Sequence, residues 1–182
     1  MTSFKSAKKS IITPKIKALW VDSRLDTKWD AEGTWGAKGK LAAKTAASVI
    51  NHVIELKTSS FDPKKARNAR SPIEEQADGT FLFTCKSKKK PTIYDSTGKE
   101  INKDIKIGNG SIVKYAVTLA TYSNGPNCGV TAYLNGIQII KLVEFSANPF
   151  QKEEGGFVYG EDSNPFALSN DDDDDASDAL PQ

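Results

Sequence analysis

The chain of 182 residues is long enough for one domain with appendages, and its 38% hydrophobic and 26% charged residues are ordinary for a globular protein. No apolar run approaches the roughly 18 residues that a membrane span needs, and the basic N-terminus lacks the apolar segment of a secretory signal. The two cysteines, Cys85 and Cys128, are too few for a disulfide framework, so we expect reduced thiols in a cytoplasm.

Charge is divided unevenly along the chain. Residues 1–152 hold all 25 Lys and Arg residues and 13 of the 23 acidic ones, a net charge of +12. Residues 153–182 hold the other 10 acidic residues and no basic one. A basic body with an acidic end predicts a polyanionic ligand and a tail that competes with that ligand.

The first half of the chain predicts an arm, two strands and a helix. Residues 1–13 are predicted to form a flexible basic arm. Strand-like patterns follow over 15–21 and 34–42. The helical pattern covers residues 44–57 and places Ala46, Val49, Ile50 and Val53 on one face. Residues 58–72 contain turn formers and four basic residues, which predicts a mobile surface loop.

The second half predicts strands separated by turns, and then a tail. FLFTCKS, PTIYD and IVKYAVTLATY are strand-like, and the segment from Cys128 to Phe145 is strand-rich with a bend near Asn135 and Gly136. Five or six strands and one helix predict a mainly β fold, a small closed barrel over residues 14–150. Residues 151–182 include five consecutive aspartates and are predicted to be a disordered acidic tail; about 30 such residues reach roughly 30 Å.

Strand alternation separates predicted core residues from candidate binding residues. Val113, Tyr115, Val117 and Leu119 share the core face of their strand, and the outward face combines a cation with a ring. Cations that track phosphates and rings that stack on unpaired bases hold a single nucleic-acid strand. The candidates are the cations and rings on outward faces and in the loop: Lys15, Lys17, Trp20, Lys38, Lys40, Arg67, Arg70, Lys86, Lys88, Lys89, Tyr94, Lys114 and Tyr122. The plainer alternative is that these lysines are only solvated and that Trp20 belongs to the core.

Catalytic signatures are missing from the sequence. His52 is the sole histidine, no GxxxxGK[ST] or GxSxG motif occurs, and the cysteines lack a zinc-site spacing. The aspartate run has no glycine turn and does not match an EF-hand loop. We therefore expect no enzyme, no catalytic residue, no cofactor and no metal site.

Four segments carry a family resemblance. ADGTFLFTCKS, IYDSTGKEI, IGNGSIVKYAVTLATY and GIQIIKLVEF, in this order, resemble the single-stranded DNA-binding proteins of T7-like podoviruses, and EGTWGAKGKL is similar to an early strand of that family. The acidic tail is a further likeness. In two places the sequence departs from the family: the tail ends in Gln182 rather than in an aromatic residue, and Leu82 and Thr84 stand where basic or aromatic residues are expected.

The resemblance implies an OB-fold, sequence-tolerant single-stranded DNA binding in phage replication, recombination and repair, and a homodimer in the cytoplasm of the infected bacterium. It also implies that the acidic tail recruits the phage DNA polymerase and primase-helicase. The tail residues expected to bind such partners are Asp171, Asp172, Asp173, Asp174, Asp175 and Asp178.

Other binding classes remain open at this level. An RNA-binding or cold-shock-like OB protein, or a nucleic-acid-annealing protein, uses the same stacking and charge devices. A structural adaptor whose tail binds a basic protein and a duplex-DNA architectural protein are further alternatives. Matched DNA and RNA oligonucleotides distinguish the first of these classes from a DNA-binding protein.

Overall fold

The computed structural model describes residues 4–21 and 32–144, all within the unit Met1–Ala147. In chain order, the elements are β1 (Lys8–Ile12), β2 (Ile16–Val21), β3 (Trp35–Leu41), α1 (Ala43–Ser60), α2 (Pro63–Asn68), β4 (Ile73–Glu75), β5 (Phe81–Ser87), β6 (Thr92–Tyr94), β7 (Ile112–Asn124) and β8 (Asn127–Lys141). No helix among these described residues is both long enough and apolar enough to cross a membrane.

Five of the strands close into a ring. β7 pairs with both β2 and β8, β2 pairs with β3, β3 pairs with β5, and β5 meets β8 in parallel. β1 extends the sheet from β7, β4 from β5 and β6 from β8. The predicted mainly β, OB-fold-like class is confirmed, although the described residues form eight strands and two helices rather than five or six strands and one helix.

The interior of the ring follows the predicted alternation. The four β7 residues expected in the core are at most 1% exposed, and Phe83 and Cys85 of β5 are at most 2% exposed. The rings of Phe83 and Tyr115 stack with centroids 6.5 Å apart. Burial raises the pKa of Tyr115, whose hydroxyl donates a hydrogen bond to the backbone carbonyl of Lys38 at 3.4 Å. The buried Tyr115 thus helps to fix the backbone of β3 at Lys38, whose side chain faces outward.

The helix predicted over 44–57 is confirmed and continues to Ser60. Its buried residues include Ala46, Val49 and Val53, as the pattern predicted. The loop predicted over 58–72 is wrong in part, because α2 forms within it. The side chain of Asp62 accepts a hydrogen bond from the Lys65 amide at 2.9 Å, and a proline occupies the first turn. Turn-forming residues here begin a short helix, since a cap and a proline suit an N-terminus.

The flexible arm predicted over residues 1–13 is wrong from Lys8 onward, where the chain forms the strand β1. Lys8–Ile12 pairs with the middle of β7, and Thr13 is buried and accepts a hydrogen bond from the Tyr115 amide at 2.9 Å. Lys9 forms an ion pair with Glu55 of α1 at 2.6 Å, and this hydrogen bond lowers the pKa of Glu55. The strand was missed because its partner lies more than a hundred residues away in the sequence. Residues 1–3 and the predicted tail, 151–182, lie outside the described residues.

The predicted bend near Asn135 and Gly136 is a bulge within one continuous strand. Ala116 of β7 faces Gly136 and the next residue, Val117, faces Leu134. Asn135 is therefore the extra residue, and its side-chain amide nitrogen Nδ2 donates a hydrogen bond to the Thr118 hydroxyl at 2.9 Å. Such a bulge increases local twist, which helps the long β7–β8 pair to curve around the ring.

Candidate nucleic-acid interface

An open groove of about 620 Å³ lies over the outer faces of β3, β5 and β8. Its lining residues are Lys38, Arg70, Ser71, Pro72, Glu74, Leu82, Thr84, Lys86, Tyr122, Val130, Thr131, Ala132 and Tyr133.

Strand register brings cations and rings together on the groove floor. Lys38 of β3 is paired with Thr84 of β5, and Lys86 of β5 is paired with Tyr133 of β8. Residues directly opposite each other on neighbouring strands project from the same face. Tyr133 is 46% exposed, so a large part of its ring is available for contact with a ligand.

The far end of the groove is held by a backbone bridge between Arg70 and β8. The Arg70 amide donates to the Cys128 carbonyl at 2.9 Å, and the Val130 amide donates to the Arg70 carbonyl at 2.9 Å. On the other side of Gly129 lies Tyr122 of β7. A Cβ atom on Gly129 would lie 2.7 Å from the Arg70 carbonyl oxygen, so only glycine permits this approach.

The helices support the same bridge from behind. The Lys57 ammonium group donates a hydrogen bond to the Ala69 carbonyl at 2.5 Å, and partial burial lowers the pKa of Lys57. Phe61, Ala69 and Cys128 form a small buried cluster beside it. The backbone that carries Arg70 is therefore fixed by contacts on two sides, which places its exposed side chain at one end of the groove.

The groove carries positive charge that the described part of the protein does not neutralise. Lys38, Arg70 and Lys86 form no ion pair with any residue in the described ranges. Lys40 is different, because its ammonium group lies 2.9 Å from a carboxylate oxygen of Asp78. Hydrogen bonds from Thr80 and from Lys40 hold the pKa of Asp78 well below its usual range, so the carboxylate keeps its charge further into the acidic range than an ordinary aspartate.

Of the predicted binding residues, Lys38, Arg70, Lys86 and Tyr122 line the groove. Trp20 of β2 lies beside the groove, because it is paired with Lys38 of β3, and Trp20 is 45% exposed.

Four further candidates are exposed but do not line the groove. Lys17 is paired with Lys40, and Lys15 comes just before β2. Lys88 and Lys89 follow the end of β5.

Three candidates lie elsewhere. Tyr94 and Lys114 both lie beside Gln138, on the stretch of β8 beyond the bulge. Arg67 lines a separate depression with Ile54 and Phe61 at the junction of the two helices. The six aspartates predicted to bind partners lie outside the described residues.

Sequence reasoning missed Tyr133 and Glu74 as groove residues. Alternation in VTAYLN would have found Tyr133, since Ala132 and Leu134 are buried and Tyr133 points the other way. Glu74 has no such signal, because β4 is only three residues long. Within residues 4–21 and 32–144, no three His, Cys, Asp or Glu side chains are grouped so that they could hold a metal ion.

In chain order the ring strands are β2, β3, β5, β7 and β8, and the groove lies over the second and third of them, β3 and β5. This is the arrangement of the oligonucleotide-binding OB class. The chain belongs to the family of the single-stranded DNA-binding protein of Enterobacter phage Enc34, whose model matches residues 10–164. The predicted resemblance to phage single-stranded DNA-binding proteins is thereby confirmed.

Solved structures agree with this fold. The gp2.5 single-stranded DNA-binding protein of bacteriophage T7 is 19% identical and superposes with a TM-score of 0.65, covering 85% of this chain and 100% of that one. The Enc34 protein with a C-terminal truncation is 13% identical, with a TM-score of 0.60 over 79% of this chain and 98% of its own. The Enc34 protein in complex with ssDNA is 13% identical, with a TM-score of 0.57 and the same coverage. No curated protein sequence matches the chain.

Replacing Gly129 with alanine should loosen the Arg70 bridge. The new methyl group would overlap the Arg70 backbone, and overpacking of this kind costs about 1–3 kcal/mol of stability. We expect faster hydrogen exchange at the amides of Arg70 and Val130, measured by NMR on the folded protein. Gly79→Ala is the matched control, because it strains a positive-φ turn with open space around it and should leave both amides unchanged. Unchanged exchange in Gly129→Ala would contradict the close approach.

Proposed function

We propose that the protein binds single-stranded DNA with little sequence preference, and that the groove is its binding surface. One observation carries the proposal: strand register collects Lys38, Lys86 and Tyr133 on one outer face, with Arg70 and Tyr122 at its end. Cations on phosphates and rings on bases are the two devices by which OB-type proteins hold single strands.

The similarity to phage proteins supports this proposal. The chain belongs to the family of a phage single-stranded DNA-binding protein, and one solved structure of similar fold is a complex with ssDNA. The groove lies over β3 and β5, the second and third strands of the ring, and this is the face on which OB-folds generally bind oligonucleotides. We propose no catalytic activity, since stacking and ion pairing account for the chemistry of the groove.

The tyrosines should contribute affinity without changing the salt dependence. Tyr133→Ala and Tyr122→Ala should each weaken oligo-dT binding by about 1–3 kcal/mol, because each removes a stacking surface. The salt dependence of binding should stay the same, since no phosphate contact is lost. Fluorescence titration over a range of salt concentrations measures both quantities. Tyr94→Ala is the control outside the groove. If Tyr133→Ala and Tyr122→Ala both fold and both bind with unchanged affinity, the two tyrosines do not stack on bases.

The groove cations should determine the salt dependence. Lys38→Gln and Lys86→Gln should each flatten the slope of log affinity against log salt by about 0.7, the value for one phosphate contact on a single strand. Lys114→Gln removes the same charge outside the groove and should flatten it much less. Equal effects of all three variants would mean that only net charge matters and that the groove is not the binding surface.

We also propose that the acidic C-terminal region competes with DNA for the basic body. The support is the charge division, +12 over residues 1–152 against 10 unopposed acidic residues in 153–182. A tethered competitor acts through its effective concentration, so its effect is intramolecular. Once displaced by DNA, this region would be available to recruit basic surfaces of replication enzymes, for which the phage DNA polymerase and primase-helicase are the candidates. Roles in replication, recombination and repair in the infected bacterium, and a homodimer, belong to this same proposal.

Deleting residues 170–182 should tighten binding to single-stranded DNA. The deletion removes all six of the aspartates named above and so weakens the competitor. The gain should be largest at low salt, because screening weakens charge competition. A control chain in which the same residues are replaced by a Ser/Gly segment of equal length separates charge from chain length. Unchanged or weaker affinity after the deletion would exclude competition.

RNA binding or nucleic-acid annealing is the second candidate function. The groove residues are compatible with either sugar, since stacking and phosphate contacts do not read a 2′-hydroxyl. Parallel titrations with DNA and RNA oligonucleotides of matched sequence, and a strand-annealing assay, distinguish these functions.

A further inference from the structure

A carboxylate lies on the wall of this cationic groove. Glu74 is the middle residue of β4, and its backbone is paired with Leu82 of β5. The side chain is exposed and lines the groove together with Lys38, Lys86 and Arg70. Among the described residues that line the groove, Glu74 is the one carboxylate.

No neighbouring cation neutralises this carboxylate within the described part of the chain. On the other side of Leu82 lies Lys40, which is paired with Asp78 instead. Glu74 itself forms no ion pair with a described residue. A free negative charge at this wall repels phosphate, so a bound strand is expected to direct its phosphates to the cations and its bases toward Glu74.

An ionised carboxylate only accepts hydrogen bonds, and this determines which base edge suits it. Cytosine, adenine and guanine each carry an exocyclic amino group that donates, and carboxylates pair with the cytosine amino group in sequence readout. Thymine offers only one ring N–H, and the two carbonyl oxygens that flank it repel a carboxylate. The chemistry at this wall thus separates thymine from the other three bases.

We propose that Glu74 is a specificity-determining residue of the groove, giving a modest preference for bases with an exocyclic amino group over thymine. This proposal rests on the proposed function, since it assumes that a single strand occupies the groove. It adds a base preference to binding that is otherwise tolerant of sequence.

The test compares oligo-dC with oligo-dT of equal length in mildly alkaline buffer, where cytosine stays unprotonated. Glu74→Gln removes the charge and supplies an amide that both donates and accepts. Glu75→Gln is the matched control, because it makes the same charge change one residue away, where the strand alternation turns the side chain to the other face. Both side chains are exposed, so both variants should keep the wild-type circular dichroism spectrum and unfolding midpoint.

Glu75→Gln should bind both oligonucleotides somewhat more tightly, since it loses a negative charge. Glu74→Gln should gain affinity for dT for the same reason but not for dC, because it also loses the charged acceptor of the cytosine amino group. The ratio of dC to dT affinity is the diagnostic quantity. It should fall by about five-fold in Glu74→Gln, the lower end of the range for one base contact, and stay at the wild-type value in Glu75→Gln. An equal ratio in both variants, or a wild-type protein that prefers dT, would overturn the proposal while leaving single-strand binding intact. If the wild-type protein binds neither oligonucleotide, the proposed function fails and the base preference fails with it.

Discussion

The strand β8 uses both of its edges for hydrogen bonding, and the rest of the fold depends on this. Along one edge it pairs with β7, and along the other it meets Arg70, Lys86 of β5 and the whole of β6. Glycines stand at two of these meeting points: a Cβ on Gly129 would overlap the Arg70 backbone, and one on Gly136 would lie 3.1 Å from the Tyr94 ring. Because β8 closes the ring at Lys86 and Tyr133, the same pairing that completes the fold also brings a cation and an aromatic ring together.

The groove separates two kinds of interaction by position. Its floor carries rings and lysines from strands, whose alternation fixes which side chains face outward. Its end carries Arg70, whose backbone is fixed by β8 on one side and by the Lys57–Ala69 hydrogen bond on the other. Acidic groups outside the groove limit the positive surface, since Lys40 and Lys90 are paired with Asp78 and Asp104. Lys38, Arg70 and Lys86 of the groove form no ion pair with a described residue and lie next to tyrosine rings, and this favours a ligand with both phosphates and bases.

The long-range contacts explain how proteins with little sequence identity adopt a common fold. The T7 protein shares 19% of its residues with this chain and still superposes over its full length. A ring of strands requires alternation, a few glycines at close approaches and long antiparallel pairs, and many sequences satisfy these requirements. The exposed side chains of the groove are under no such packing constraint, so the candidate binding residues of this chain follow from its own register.

Local patterns in the sequence determined the α1 helix, the core faces of β5 and β7, and the charge division between body and tail, because each depends on residues close together in the chain. Tertiary structure alone decided that Lys8–Ile12 is a strand, that Glu74 faces the groove, and that Lys86 lies beside Tyr133. Alternation identifies the outward face of a strand but not which strand lies next to it, and so Tyr94 and Lys114 were grouped with residues that the ring places elsewhere. Pairing between distant segments depends on the closure of the whole ring, which no local pattern encodes.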